Sequence, residues 1–164
     1  MIQIESKLPA QGVTIFSVMS AMAQRLNALN MSQGFPDFPA PPALLDALTQ
    51  ATQDGFNQYA SGDGLLSLRE QLAQFFLQRD QLQLDPINEI TITPGATIGL
   101  FSAIHAVVNL GDEVIVFDPS YDSYAPSVKL AGGIPVHIPL QTPHFNVDWN
   151  IVEQAINHKT RMII

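Results

Sequence analysis

The fold is decided by residues 90–124, which read ITITPGATIGLFSAIHAVVNLGDEVIVFDPSYDSY. A run rich in β-branched residues, Ile90–Thr93, precedes the small residues of Pro94–Thr97 and then apolar residues at helical spacing. Gly111 ends that helical pattern, and a second apolar run, Val114–Phe117, begins shortly after it. Such runs are typical of buried strands, and a helix between them is typical of a parallel crossover. The stretch therefore predicts a strand, a helix and a second strand of an α/β fold.

The same alternation continues towards the C-terminus. Further apolar runs, Pro135–Ile138 and Met162–Ile164, follow at intervals of roughly twenty residues, which suits successive crossover units. Gly132 and Gly133 mark the end of one intervening helix, and Asp148 is a suitable N-cap for the next. These patterns predict a three-layer α-β-α sandwich with a mainly parallel sheet. Nothing follows the last run to cover it, so we expect the sequence to be the front portion of a longer protein.

Helices are also predicted on the N-terminal side of this region. Apolar residues recur at helical intervals between Val13 and Leu29, which indicates one amphipathic helix behind a loose arm. The proline-rich segment Gly34–Pro39 predicts a rigid loop, because proline removes backbone donors and restricts φ. A helix with proline in its first turn is then expected from about residue 41 to about residue 54. Another helix carries apolar residues between Leu65 and Phe76.

Composition excludes several classes of protein. Of the 164 residues, 46% are apolar, enough for a core in which we expect Trp149 and the Phe75–Phe76 pair to lie. With 15 acidic and 7 basic residues the net charge is -8, which argues against binding to nucleic acid or an anionic membrane. There is no cysteine, and the histidines lack the spacing of zinc ligands, so no metal site is expected. No apolar run reaches about 18 residues, and we expect a cytoplasmic location.

Candidate binding residues follow the predicted strands. Ligands of open α/β sheets lie beyond the carboxyl ends of the strands, so the turn Pro94–Thr97 is a candidate anion cradle at a helix N-terminus. The alternative for this turn alone is an ordinary strand-to-helix connection capped by Thr97. Tyr121 follows the second run and could stack on a flat ring, although a lone tyrosine is more often a packing residue. We expect Tyr121 and the turn to lie on the same rim of the sheet.

Taken together, these motifs resemble the pyridoxal-phosphate-dependent class I/II aminotransferases of the aspartate aminotransferase superfamily. The similarity is greatest to the branch that contains methionine and kynurenine aminotransferases. It rests on segments Asn30–Phe38, Asn57–Ala60, Thr93–Thr97 and Gly111–Tyr124, whose order and spacing match the family. The resemblance implies an N-terminal arm and helix over residues 1–30, followed by the first part of the large cofactor-binding domain.

The resemblance assigns roles in binding pyridoxal 5'-phosphate. It implies that Gly95, Ala96 and Thr97 hold the cofactor phosphate and that Tyr121 stacks on the pyridine ring. Tyr59 matches a tyrosine that reaches the phosphate in the neighbouring subunit, so the family pattern implies a homodimer with shared active sites.

The resemblance also implies what this chain binds and what it lacks. Gly34 matches a position beside the substrate carboxylate, and Phe16 matches an aromatic residue that lines the side-chain pocket. The family's Schiff-base lysine, with the aspartate and arginine that assist it, lies beyond Ile164, so this chain holds no catalytic residue and alone is expected to be inactive.

The implied reaction moves an amino group between an α-amino acid, of methionine or aromatic and apolar type, and a 2-oxo acid. A carbon-sulfur lyase of the same superfamily would share these motifs. An alternative of another class is a non-catalytic α/β nucleotide-binding or structural module, although the sequence lacks the glycine-rich turn or P-loop that a nucleotide site needs.

Overall fold

The computed structural model describes residues 5–8, 12–34 and 36–164. The described residues fall into two compact units. One unit spans Ile15–Thr93, and the other joins the described residues before Ile15 to Pro94–Ile164. Within the described ranges, no helix combines the length and the apolar character needed to cross a bilayer. The division expected at residue 30 stays a prediction.

The unit Ile15–Thr93 contains helices α1 (Ile15–Arg25), α2 (Pro42–Gln53) and α3 (Leu66–Asp80). These are the helices that the apolar spacing predicts, although α1 is shorter at both ends than expected. Pro42 occupies the first position of α2, where the missing N–H removes no helical hydrogen bond.

A buried arginine attaches α3 to the loop that follows it. Arg69 is only 7% exposed, and its Nη1 donates to the carbonyl oxygens of Pro86, at 2.9 Å, and Ile87, at 3.2 Å. Asp85 in this loop accepts hydrogen bonds from the Ile87 N–H and the Asn88 side chain. These bonds, the backbone one first, hold the pKa of the Asp85 carboxyl below its ordinary value. The loop is therefore held by side chains.

The run Ile90–Thr93 forms no strand, so the prediction of a strand here is wrong. The Ile92 N–H donates to the Asp63 carbonyl oxygen at 2.9 Å, in the loop that precedes α3. β-Branched residues favour a strand only where a neighbouring strand offers backbone partners. Here the partner belongs to a loop.

The unit that contains Pro94–Ile164 alternates helices with strands. Its elements are α4 (Ala96–Val107), β1 (Glu113–Asp118), α5 (Tyr124–Leu130), β2 (Ile134–Pro139), α6 (Trp149–Ala155) and β3 (Thr160–Ile163). In the described part of the chain the strands form a three-stranded sheet in the order β2-β1-β3, with both pairings parallel. The three later strand predictions are confirmed.

Helices cover both faces of this sheet. On one face, Val116 of β1 packs in a cluster with Ile104 of α4 and Val128 of α5. On the other face, Ile115 packs with Val152 of α6. Successive residues of a strand point to opposite faces, so β1 contributes to both clusters. The chain thus has the predicted three-layer α-β-α arrangement.

Close packing beside β2 requires glycine at position 133. A Cβ on Gly133 would lie 2.6 Å from Val108 Cγ1 and 3.0 Å from Val128 Cγ1. Both valines belong to the buried cluster, so neither can move without disturbing the core. Gly133, which the sequence predicts at a helix end, is thus also required for packing.

Helix α6 confirms one prediction and contradicts another. Asp148 caps its start, because Asp148 Oδ1 accepts the Asn150 N–H at 3.0 Å. Trp149, expected in the core, is 68% exposed, whereas Val152 of the same helix is buried. The Phe75–Phe76 pair of α3 is likewise only partly covered. Apolar spacing identifies a helix face but not what covers it.

Asp112 connects the turn before β1 to β3. Its Oδ2 accepts the Asn109 N–H at 2.8 Å and the Arg161 Nε–H at 3.1 Å. These hydrogen bonds, the Asn109 backbone bond first, hold the pKa of the Asp112 carboxyl below its ordinary value of 3.8. The ionised carboxylate is therefore the form that the fold favours.

The outer edge of β2 offers few hydrogen-bond donors. The Leu140 N–H, directly after β2, donates to the Asp118 carbonyl oxygen of β1 at 2.8 Å. Because alternate residues of a parallel strand bond to the same neighbour, Pro135, His137 and Pro139 direct their backbone groups away from β1. Proline has no N–H, so His137 supplies the one outward donor within β2.

Candidate functional site

Helix α4 begins at a glycine whose conformation other residues rarely adopt. Gly95, the N-cap, has φ +89° and ψ 160°, and no side chain among the described residues caps the helix start. A Cβ on Gly95 would meet no heavy atom within 4 Å, so glycine is needed for the backbone conformation and not for space. The first N–H groups of any helix lack partners inside the helix and attract anions. The start of α4 therefore has the chemistry of an anion site.

A cavity of about 600 Å³ lies beside this helix start. From α4 it is lined by Ala96, Thr97, Gly99, Leu100 and Ala103, and from the region after β1 by Tyr121, Ser123 and Tyr124. Tyr121 and the turn after Pro94 thus border one cavity. That both lie on one rim of the sheet stays a prediction, because the run before Pro94 forms no strand. None of the lining side chains in the described part of the chain is charged, so among these residues the helix start supplies the positive electrostatic potential.

Two tyrosines form the aromatic part of the lining. The ring centroids of Tyr121 and Tyr124 lie 5.9 Å apart, with 52° between the ring planes. The Tyr124 N–H donates to the Tyr121 carbonyl oxygen at 3.2 Å. Tyr121 is 51% exposed, which leaves part of its ring accessible to a ligand.

Ser123, between the tyrosines, has a polar atom without a partner. Its Oγ is buried and makes no hydrogen bond in the described structure. Buried hydroxyls are usually hydrogen-bonded, so an orphaned one on a cavity lining fits a site that receives a polar ligand.

Sequence reasoning missed part of this lining. Ala96, Gly99 and Ala103 lie on one face of α4, and their small side chains leave the cavity open. The helical spacing of these three small residues could have predicted an open face of α4 from the sequence. Tyr124 follows Tyr121 by three positions in the same turn, and neither it nor Ser123 stands out in the sequence alone.

The remaining predicted site residues belong to the unit Ile15–Thr93. Phe16 lies half-buried in the first turn of α1, Gly34 is exposed in the loop after α1, and Tyr59 is fully exposed before α3. A cavity of about 380 Å³ in this unit is formed by α1 and residues 28–32, and none of the three residues lines it. Their roles stay predictions.

The described residues offer no set of side chains that would bind a metal ion. Among the described residues, no three His, Asp or Glu side chains are grouped so that they could hold a metal ion. A histidine and a carboxylate do meet outside the cavity, where His137 Nδ1 lies 2.9 Å from Asp118 Oδ2.

Residues 27–164 match the model of the family described as aminotransferase class I and II. The chain belongs to this family. A methionine aminotransferase of Escherichia coli is 49% identical over 160 residues, which cover 98% of this chain and 42% of that protein. Kynurenine–oxoglutarate transaminase 3 of Rattus norvegicus is 38% identical over 149 residues, 84% of this chain and 33% of that protein.

The fold of this aminotransferase chain agrees with solved structures. A crystal structure from Escherichia coli, reported with a methionine aminotransferase function, has a TM-score of 0.95 and 48% identity. The alignment covers 99% of this chain and 43% of that one. The chain thus spans about two fifths of the length of the E. coli protein that it matches. The resemblance to the methionine and kynurenine aminotransferase branch is confirmed.

Proposed function

We propose that the full-length protein is a pyridoxal-phosphate-dependent aminotransferase whose cofactor lies in the cavity beside α4. One observation carries the proposal: the start of α4, which no described side chain caps, and the half-exposed Tyr121 border the same cavity. These are the two surfaces that a phosphate and an aromatic ring on one molecule require. Membership in the aminotransferase family supports an enzyme over a nucleotide-binding or structural module.

The residues present fit this cofactor. The backbone amides at Ala96 and Thr97, with the Thr97 hydroxyl, would hold the phosphate, and Gly95 would set the direction of the helix start. Tyr121 would pack on the pyridine ring. The cavity volume of about 600 Å³ lies within the range of small-molecule sites. When bound, pyridoxal phosphate supplies an electron sink for amino-acid chemistry, and the protein supplies orientation and charge.

Other parts of the site are proposed from the family resemblance. Gly34 would lie beside the substrate carboxylate and Phe16 would line the side-chain pocket. Tyr59 would contact the phosphate of a second subunit, and its full exposure in the single chain is compatible with such an intersubunit contact. The reactive lysine, an aspartate and an arginine would come from residues that follow this chain in the full-length protein.

The proposed substrates are methionine or an aromatic or apolar α-amino acid, with a 2-oxo acid as acceptor. The similarity to a methionine aminotransferase and the aromatic character of Phe16 and Tyr59 support this choice. We propose a cytoplasmic homodimer as the active form.

The experiment uses the full-length protein. It measures cofactor binding by absorbance, and then oxo-acid formation with methionine, phenylalanine, aspartate or glutamate as amino donor. We expect cofactor binding and the fastest transfer from methionine or an aromatic donor. Aspartate or glutamate outperforming methionine severalfold would refute the substrate class. Pyruvate and ammonia released from cystathionine without amino transfer would assign a carbon-sulfur lyase.

A further inference from the structure

A side-chain pair at the carboxyl end of β1 has no role in the proposed function. The His137 Nδ1 and Asp118 Oδ2 atoms lie 2.9 Å apart and join β2 to β1. In the parallel pairing, Val116 lies opposite His137, so His137 shares a sheet face with Val116 and with Asp118 two residues later. Val116 packs in the cluster that includes α4 and α5. The pair therefore lies on the sheet face that also carries the cavity's helices.

Asp118 is attached to the β2 segment in two ways. Its carbonyl oxygen accepts the Leu140 N–H at 2.8 Å, and its carboxylate Oδ2 lies 2.9 Å from His137 Nδ1. Asp118 is the last residue of β1, where the chain leaves the sheet for the turn that carries Tyr121. At the far end of this turn, the Tyr124 N–H donates to the Tyr121 carbonyl oxygen. Both ends of the Tyr121 turn are thus held.

The contact between His137 and Asp118 contributes little to the global stability of the fold. The two side chains are 45% and 43% exposed, and ion pairs at exposed positions contribute little to the free energy of folding. The parallel ladder between β1 and β2 already aligns these strands over their whole length. What the pair adds is a restriction on the orientation of the strand end, one short turn away from the cavity.

We propose that His137 is a positioning residue: through Asp118 it orients the turn that presents the Tyr121 ring to the cavity. This inference rests on the proposed function, because it assumes that the Tyr121 ring packs on the cofactor. His137 itself touches neither cofactor nor substrate. Its loss should therefore alter how the cofactor is held without unfolding the sheet.

The test compares H137V and H137N in the full-length protein. Valine suits a strand and removes the polar nitrogen, whereas the Asn side chain places its Nδ2 at nearly the position of the His Nδ1. We measure the Kd for pyridoxal phosphate, the visible circular dichroism of the bound cofactor and the thermal midpoint. H137V should raise the Kd about twofold to fivefold, the upper part of what one exposed ion-pair contact contributes, and reduce the dichroism. The midpoint should shift by no more than roughly 2 °C, and H137N should behave like the wild type.

Two controls isolate the pair. H158V alters an exposed histidine in the turn before β3 and should leave the Kd and the dichroism unchanged. In a D118A background, H137V should have no further effect, because its partner is already gone. A wild-type protein that binds the cofactor while H137V matches it in Kd and dichroism would overturn this role alone. A wild-type protein that binds no pyridoxal phosphate would overturn the proposed function itself.

Discussion

Replacing Gly95 by alanine should weaken cofactor binding, destabilise the full-length protein, or both. Gly95 has φ +89° and ψ 160°, close to a region that is essentially restricted to glycine. An alanine Cβ would meet no heavy atom within 4 Å, so the whole cost lies in the backbone. A residue held in such a conformation costs about 1–3 kcal/mol.

This cost can appear in either of two measurements. If the alanine variant keeps the native backbone, its free energy of unfolding falls by about 1–3 kcal/mol. If the backbone relaxes when no cofactor is bound, the start of α4 moves away from its binding position. Cofactor binding must then restore the strained backbone conformation, and the Kd for pyridoxal phosphate rises by about fivefold to 150-fold.

The assay therefore measures both quantities in the full-length protein. Urea unfolding without cofactor gives the loss of stability, and an absorbance titration gives the Kd. G55A is a matched control, because Gly55 has the same φ of +89° but lies after α2 and outside the cavity lining. It should lose stability and keep its affinity. G62A, where a Cβ meets open space and φ is not positive, should change little. If both changes for G95A together amount to less than about 0.5 kcal/mol, the reasoning is refuted.

Four further predictions address the core, an acidic side chain, the aromatic wall and the isolated chain. Alanine at Gly133 would overlap Val108 and should cost about 1–3 kcal/mol in urea unfolding, whereas equal stability would contradict the packing argument. The pKa of Asp112 is lowered in the fold, so its contribution to stability is present above pH 3.8 and is lost as the pH falls through the lowered pKa. D112N should therefore unfold more easily than the wild type at neutral pH and lose less stability on acidification, as measured by urea unfolding across pH; parallel curves would exclude this role. Y121A should weaken pyridoxal phosphate binding, by about 0.5–1.5 kcal/mol in the absorbance titration, while Y121F should bind nearly as the wild type does. The 164-residue chain expressed alone should form no oxo acid from methionine, because the proposed reactive lysine is supplied by the remainder of the protein; measurable turnover by the purified chain would contradict that assignment.

The sheet and the Tyr121 side of the cavity could be predicted from local patterns. Val114–Phe117 is apolar on both faces because helices cover both, and a run of this kind is readable without a structure. Tyr121 directly follows β1, so its place beyond the carboxyl end of that strand follows from the chain direction. The turn after Pro94 follows no strand, so its meeting with Tyr121 does not follow from that rule.

Other features depend on partners that no local pattern identifies. Ile90–Thr93 has the composition of a strand, but its backbone bonds to the loop at Asp63. Trp149 falls at a helical interval of apolar residues and is nevertheless exposed, whereas Val152 of the same helix is buried. Ser123 becomes notable only because its Oγ is enclosed without a hydrogen-bond partner, which is a property of three-dimensional packing.

The prolines of β2 make the two edges of the sheet unequal in their ability to pair with a further strand. Pro135 and Pro139 cannot donate to another strand, so the β2 side acts as a terminus that resists both extension and unwanted pairing between molecules. On the opposite side, the Ile164 N–H donates to Ile115, which by alternation turns the N–H of Ile163 outward. A further strand, from the same polypeptide or from another, is therefore expected to pair with β3. The prolines thus disfavour strand pairing at the β2 edge, while the β3 edge keeps the backbone groups that a further strand would need.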